Sequence, residues 1–154
     1  MSAQGAQFGK PSIGAMRYVR YYVQREAQLG NSSLAIPVPA RTCCLLDFEL
    51  GDPIGVHSSR TGLTVWGETS ALVGLETYVQ NQLLLSGNVE HFSIHFKPLA
   101  LSRLFGLPVL DLTNCNYAAH SVLGSAASQL RQCLGGGRHF SGEGATRGYV
   151  YHGT

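Results

Sequence analysis

Apolar and polar residues alternate along several short stretches of the chain, which is the pattern of β-strands with one buried face. In the stretch 17–27, "RYVRYYVQREA", Val19, Tyr21 and Val23 fall on one side. A helix is an alternative there, because Val19 and Val23 also fit a helical stripe with Ala27. The density of Tyr and Val favours a strand.

The stretch 42–50, "TCCLLDFEL", also alternates and predicts a second strand. Its pattern directs Phe48 inward and Asp47 and Glu49 outward, where two carboxylates are most simply solvated. The segment between these strands contains Pro37 and Pro39 and predicts a loop. Shorter strand candidates follow at 62–67 and 70–75.

The stretch from 77 to 96 predicts a β-hairpin, because Ser86-Gly87-Asn88 separates two β-rich runs. In its second arm Phe92, Ile94 and Phe96 share one face, and His91, Ser93 and His95 share the other.

The period then changes to that of helices. Pro98 suits a first helical turn, and Gly106 suits the end of a helix over 98–105. An apolar stripe predicts a second helix over 118–134. The order therefore indicates an α+β domain, a β-sandwich or barrel with short helices packed at its C-terminal end.

Three regions follow from composition along the 154 residues. Residues 1–15 are small and polar and predict a flexible lead-in, and residues 16–134 hold the single domain. Residues 135–154 are rich in glycine without apolar periodicity, which predicts a disordered tail.

Charge and composition exclude some functions. A net charge of +2 without a basic face does not indicate nucleic-acid binding. Charged residues make up only 13% of the chain against a usual value of about 25%, so part of the surface could face a partner or simply be polar and uncharged. The absence of a long apolar run indicates no membrane span and no secretory leader. The four cysteines have no metal-knuckle or redox spacing and predict free thiols in a reducing cytoplasm.

The most suggestive chemical feature is the pair His91 and His95. On a strand, four residues at about 3.3 Å each separate the two Cα atoms by about 13 Å, too far for one metal ion. We therefore expect no metal and no cofactor, and we interpret the pair as facing solvent or a partner. Neither a nucleophile elbow nor a phosphate-binding loop is present. The residues alone thus predict a protein that is not an enzyme.

The stretch from Phe92 to Gly124 resembles the end of the N-terminal sensor half in a branch of the AraC-type bacterial transcription regulators. The matching pattern is Phe-x-Ile-x-Phe-x-Pro, then Leu-Phe-Gly, a Pro, a Leu-Thr step and a Leu-Gly. Upstream, "YVRYYV", "IPVPARTCCLLDFELGDP" and "LVGLET" are similar to further segments of that family, so the resemblance spans roughly 11–134. Leu75 stands where the family usually has proline.

The resemblance implies a cupin-like domain that senses a small-molecule effector or forms a homodimer. In the family this domain precedes a DNA-binding domain with two helix-turn-helix motifs, for which residues 135–154 are too short. We therefore expect a truncated regulator that contacts DNA only through the missing half. Alternatives are a stand-alone protein that binds a small molecule or a partner, and a metal-dependent cupin enzyme. For an effector site the sequence offers Tyr22, Phe48 and Trp66, since aromatic side chains on strands can face a barrel interior or pack in the core.

Overall fold

The computed structural model describes residues 3–66, 69–136 and 150–153, and the strands in this part of the chain form one antiparallel sheet. The strands are β1 (Ala3–Lys10), β2 (Val19–Pro37), β3 (Leu45–Glu49), β4 (Gly55–Ser58), β5 (Thr64–Trp66), β6 (Ser70–Val73), β7 (Asn81–Phe96), β8 (Asn116–Ala118) and β9 (Val150–Gly153). The helices are α1 (Ala100–Phe105), α2 (Ala119–Leu123) and α3 (Ser125–Gly136), with 3₁₀ turns at Ala15–Arg17 and Val109–Leu112. The observed class is a mostly antiparallel β-domain with a few short helices, as the sequence predicts at this coarse level.

The sheet is organised around β7, whose two edges both carry long ladders. Its order is β8-β6-β3-β7-β2-β1-β9, with β4 paired to β7 and to β5. One edge of β7 pairs with β2 along most of its length, whereas the other pairs first with β4 and then with β3. The long central strand thus connects two groups of shorter strands.

The hairpin predicted at 86–88 is wrong, because β7 runs without a turn through this segment. Gly87 has a φ of +67°, and the register of the ladder with β2 shifts opposite it, between Gln28 and Ser33. The backbone N–H of Asn88 donates to the Asp52 carboxylate at 2.7 Å. Gly87 therefore marks an irregularity within one strand, at the point where the partner changes from β4 to β3.

Strand β2 is longer than the pattern predicts, since the segment 30–37 continues the strand where a loop was expected. These side chains are all exposed. This half of the strand therefore has no buried face that an apolar pattern would mark. The ladder to β7 nevertheless continues from Ser33 to Pro37. Pro37 is the last residue of the strand, where a missing donor is tolerated.

Two predictions about the ends of the chain also need correction. Residues 3–10 form β1, paired with β2, instead of a flexible lead-in. Of the predicted disordered tail, 135–136 belong to α3 and 150–153 pair with β1 as β9, while 137–149 lie outside the described residues. A ladder needs only backbone donors and acceptors, so small polar residues can form one without an apolar period.

The helices cover one face of the sheet, which forms the main core. The register places Phe48 opposite Phe92, and both side chains are fully buried. Leu101 of α1, Ala119 of α2 and Ala127 of α3 pack in the same cluster. Burying a large apolar side chain contributes about 1.5–3 kcal/mol. The inward position predicted for Phe48 is therefore confirmed, and the face predicted to be shared by Phe92, Ile94 and Phe96 is the one that packs against the core.

The helix ends follow local rules with one exception. Gly106 ends α1 with a φ of 66°, and its N–H binds the carbonyl of Ser102, as expected of a left-handed cap. The helix predicted over 118–134 is divided into α2 and α3 at Gly124, which has a φ of 60°. The exception is Leu99, just before α1, with a φ of 64°. For a residue with a side chain this conformation costs roughly 1–2 kcal/mol.

Candidate functional site

The face of the sheet opposite the helices carries a polar cluster where β3 and β7 pair. Asp47 lies opposite Ser93, two pairs along the ladder from His91. The Ser93 hydroxyl donates to Asp47 Oδ1 at 2.6 Å, and His91 Nε2 lies 3.6 Å from the same oxygen. Ser93 is almost fully buried at 1% exposure. These three side chains form a closed triangle, because Ser93 Oγ also lies 3.5 Å from His91 Nε2.

The electrostatics of the triangle favour an ionised carboxylate. Burial alone would raise the pKa of Asp47, but the charge of His91 and the hydrogen bonds from His91 and Ser93 outweigh it, with a further contribution from Arg41. The pKa of Asp47 therefore lies below its ordinary value of 3.8.

The triangle has the residue types of a Ser-His-Asp triad without its geometry. In a triad the acid binds one ring nitrogen and the serine donates to the other, so that a proton passes along the chain. Here Asp47 and Ser93 both approach Nε2 of His91, and the serine proton is given to the carboxylate. The imidazole cannot remove that proton in this arrangement, so the cluster holds the strands together and does not generate a nucleophile.

His95 is the second polar feature of this face, two residues beyond Ser93 on β7. Its ring stacks on Tyr21 of β2 with centroids 4.5 Å apart, and Nδ1 lies 3.8 Å from Sγ of Cys43. The residue is 9% exposed, and Nε2 has no hydrogen-bond partner among the described residues. Burial lowers the pKa of His95 to about 4 in spite of the opposing charge of Asp47. The imidazole is therefore neutral at pH 7.

The thiol of Cys43 is also uncharged, like the imidazole of His95. Burial raises the pKa of its thiol, and the positive charges of Arg41 and Arg20 only partly oppose this effect. A reactive cysteine–histidine pair needs a thiolate stabilised by a cationic imidazole. Cys43 and His95 instead form a contact between two neutral groups.

A buried ion pair lies close to this cluster. Arg41 Nη2 is 3.6 Å from Glu76 Oε1, and Glu76 is 2% exposed. The side chain of Asn81 donates to the same carboxylate oxygen at 3.4 Å. Burial raises the pKa of Glu76, while Arg41 and Asn81 lower it in part. The pair joins the segment before β3 to the segment before β7 and supports this end of the sheet.

No group of three or more His, Cys, Asp or Glu side chains within 3–66, 69–136 and 150–153 has the geometry to hold a metal ion. His91 and His95 lie on the same face of β7, as the alternation predicts, but each has its own neighbours. The interpretation was that the pair faces solvent or a partner, and the burial of His95 excludes solvent for that residue. The described cysteines Cys43, Cys44 and Cys115 are free thiols, as expected.

The three aromatic residues proposed from the sequence as an effector site occupy two separate places. Tyr22 and Phe48 belong to the helix-covered core, where the Tyr22 ring stacks on Phe92 with centroids 5.8 Å apart. Trp66 lies on β5, 53% exposed. The structure therefore brings two of them together in the core and leaves the third at the surface. Their role in binding an effector stays a prediction.

A separate groove of about 480 Å³ lies between α1, the 3₁₀ turn Val109–Leu112 and the segment before β3. Its walls are mainly apolar. Leu99 and Leu110 belong to this lining, and their side chains are 58% and 82% exposed. Lys97 and Asp111 supply the charged side chains of its lining. Cys43 belongs both to this lining and to the contact with His95. The described part of the chain contains no helix long and apolar enough to cross a membrane.

Ser93, Cys43, Arg41 and Glu76 were not singled out from the sequence. The alternation placed Ser93 with His91 and His95, and Asp47 with Glu49, on shared strand faces. What the pattern lacked was the register that sets Asp47 against Ser93, because strand pairing depends on contacts distant in the chain. Asp47, expected to be solvated, is instead held by two side chains.

Comparison with known proteins adds little to this geometry. No protein-family profile matches the chain, and no curated protein matches it. Among solved structures, it is similar to a putative ethanolamine utilization protein Q from Salmonella typhimurium LT2, with a TM-score of 0.34 and 10% sequence identity. The similarity covers 49% of this chain and 57% of that one. A similarity at this level carries no argument about the fold or function of the present chain.

Proposed function

We propose that the chain is a non-enzymatic sensor domain of the AraC type, which binds a small molecule at the polar face of its sheet. The observation that carries the proposal is the imidazole of His95. Its Nε2 atom lies in a site that is nine-tenths buried and has no partner among the described residues.

An unpaired buried polar atom costs about 1–3 kcal/mol. A ligand that supplies the missing hydrogen bond recovers that free energy, which gives it a reason to bind there. Since the neutral ring carries its proton on either nitrogen, a hydroxyl group suits Nε2 in both tautomers, because a hydroxyl can donate or accept. The stacked Tyr21 offers an apolar surface beside it. The ligand class is therefore a small, uncharged, hydroxyl-bearing molecule.

Two observations favour binding over catalysis. The triangle of Asp47, His91 and Ser93 consists of contacts among its own three side chains. Cys43 is a neutral thiol. Neither arrangement supplies an activated nucleophile. The free thiols of Cys43, Cys44 and Cys115 are compatible with a cytoplasmic location.

The assignment to AraC-type regulators rests on the sequence resemblance over roughly 11–134. The order of a β-domain followed by short helices agrees with it. Pairing as a homodimer is part of the same proposal.

The test is a thermal-shift screen of hydroxyl-bearing compounds against the full chain and two variants. His95→Phe keeps a ring for the stack on Tyr21 but removes both nitrogens, and His120→Phe makes the same change at an exposed histidine on α2. We expect at least one compound to raise the melting temperature of the wild type and of His120→Phe, but not of His95→Phe. The proposal fails if no compound acts, or if the hits stabilise His95→Phe equally.

A further inference from the structure

The groove beside α1 lies in a surface that is unusually apolar for an exposed region. Leu99 and Leu110 line it, and Leu104 and Phe105 at the end of α1 are 41% and 44% exposed. The helix that contributes Leu101 to the groove wall therefore also carries exposed apolar side chains at its end. Grouped exposed apolar residues of this kind mark an interaction site.

The backbone at Leu99 is a second, independent sign. This leucine adopts a φ of 64° and a ψ of 0°, and its side chain remains 58% exposed. Glycine would adopt the same backbone without strain. More than half of the Leu99 side chain gains no packing within the chain that would compensate the strain, which is typical of a residue whose side chain serves a contact outside it.

The charges of the groove indicate what occupies it. Lys97 and Asp111 both line it, and neither forms an ion pair with any residue in the described ranges. A surface that carries one unpaired cation and one unpaired anion is complementary to itself, because a two-fold rotation brings each against the opposite charge. A ligand or partner of a single charge would match only one of the two.

We infer that this surface binds the same surface of a second copy of the chain. Leu104 and Phe105 of each copy enter the groove of the other, between Leu99 and Leu110, and Lys97 of each faces Asp111 of the other. The contact is isologous, as in most homodimers. The inference specifies the pairing surface of the proposed sensor and depends on that function only for its biological purpose.

The experiment is sedimentation equilibrium of the full chain over a wide concentration range. The wild type is expected to form a reversible dimer, and Leu110→Glu is expected to weaken it at least tenfold. Leu63→Glu makes the same change at an exposed leucine in the loop before β5, which does not line the groove, and should leave the dimer intact. Circular dichroism melts of each variant show whether it is folded.

Charge reversal makes the test specific. Lys97→Glu and Asp111→Lys should each weaken the dimer severalfold, whereas the double variant should restore it, since the opposite charges meet again with their positions exchanged. A wild type that stays monomeric overturns the inference. So does a dimer that Leu110→Glu leaves unchanged, which would place the contact elsewhere, for example at the edge of β5. Neither result affects the ligand response of His95, so failure of the pairing surface is distinguishable from failure of the sensor function.

Discussion

The Sγ atom of Cys43 lies 3.8 Å from Nδ1 of His95, and both side chains are buried in their neutral forms. This contact joins the two surfaces that matter for the proposals. Cys43 lines the apolar groove, and His95 belongs to the polar face of the sheet. Cys43 therefore contributes to both surfaces through a single side chain.

The first prediction concerns pH. The pKa of His95 is lowered from 6.5 to about 4. As the pH falls below 6.5, the unfolded chain takes up a proton that the folded chain refuses until about pH 4, so His95 lowers the free energy of unfolding across this window. The loss is on the order of 2 kcal/mol. Urea denaturation of the wild type and of His95→Phe between pH 7 and pH 4.5 measures it.

Glu76 has the opposite effect on the free energy of unfolding as the pH falls, so its contribution must be separated from that of His95. Because its pKa is raised, the folded chain takes up this proton before the unfolded chain does, and stability from Glu76 increases as the pH falls. The difference between wild type and His95→Phe isolates the histidine, and His120→Phe controls for loss of an exposed histidine. Equal pH slopes for wild type and His95→Phe would contradict a buried, neutral His95.

The second prediction concerns the buried ion pair. Arg41→Met leaves the Glu76 carboxylate buried without its cation, which should reduce the free energy of unfolding by about 3–5 kcal/mol at pH 7. Arg41→Met combined with Glu76→Gln should be clearly milder, because no charge remains buried. Chemical denaturation of the three proteins decides the matter. If the double variant is as unstable as the single one, packing of Arg41 is responsible rather than its charge.

The third prediction tests the irregularity in β7. Gly87→Ala forces a side chain into a left-handed backbone, and its Cβ meets the carboxylate of Asp52. Gly62 has a similar φ of +72° but open space around it. Gly62→Ala should therefore cost only the strain of roughly 1–2 kcal/mol, and Gly87→Ala measurably more in the same denaturation experiment. Equal costs would show that Asp52 moves aside freely.

The general fold was largely predictable from the sequence, and the predictions that were wrong have a common cause. Alternation correctly directed Phe48 inward and put Phe92, Ile94 and Phe96 on one face, because a strand buried on one face displays its environment in its own sequence. Gly87 was misread because a glycine within a strand irregularity and a glycine in a hairpin turn have the same local signature. Only the ladder to β2, more than fifty residues away in the chain, distinguishes them. Strands β1 and β9 carry no such signature at all.

The candidate site was less predictable than the fold. The spacing of His91 and His95 argues against a shared metal, since strand geometry alone fixes that distance, and this stays a prediction. The same spacing could not show that His95 is buried or that it meets Cys43, because these properties depend on which strands lie beside β7. Polar residues on strand faces look solvated in a sequence, and only the register shows that Asp47 is held by Ser93.

The fourth prediction concerns that hydrogen bond. Ser93→Ala removes the donor to Asp47 Oδ1 and should reduce the free energy of unfolding by about 1–3 kcal/mol, because a charged acceptor loses its partner. The same change should raise the pKa of Asp47, so the loss should shrink at low pH. Ser121→Ala, at an exposed position of α2, is the matched control. A pH-independent loss would indicate that packing alone is affected.

The central claim, that the chain binds a small molecule at His95, is tested most directly by proton–nitrogen NMR of the histidine side chains. Spectra of the full chain with and without a compound from the thermal-shift screen report each ring nitrogen separately. We predict that the Nε2 signal of His95 shifts on binding, while the His57 and His120 signals stay in place. A bound compound that leaves the His95 ring nitrogens unchanged would contradict the account.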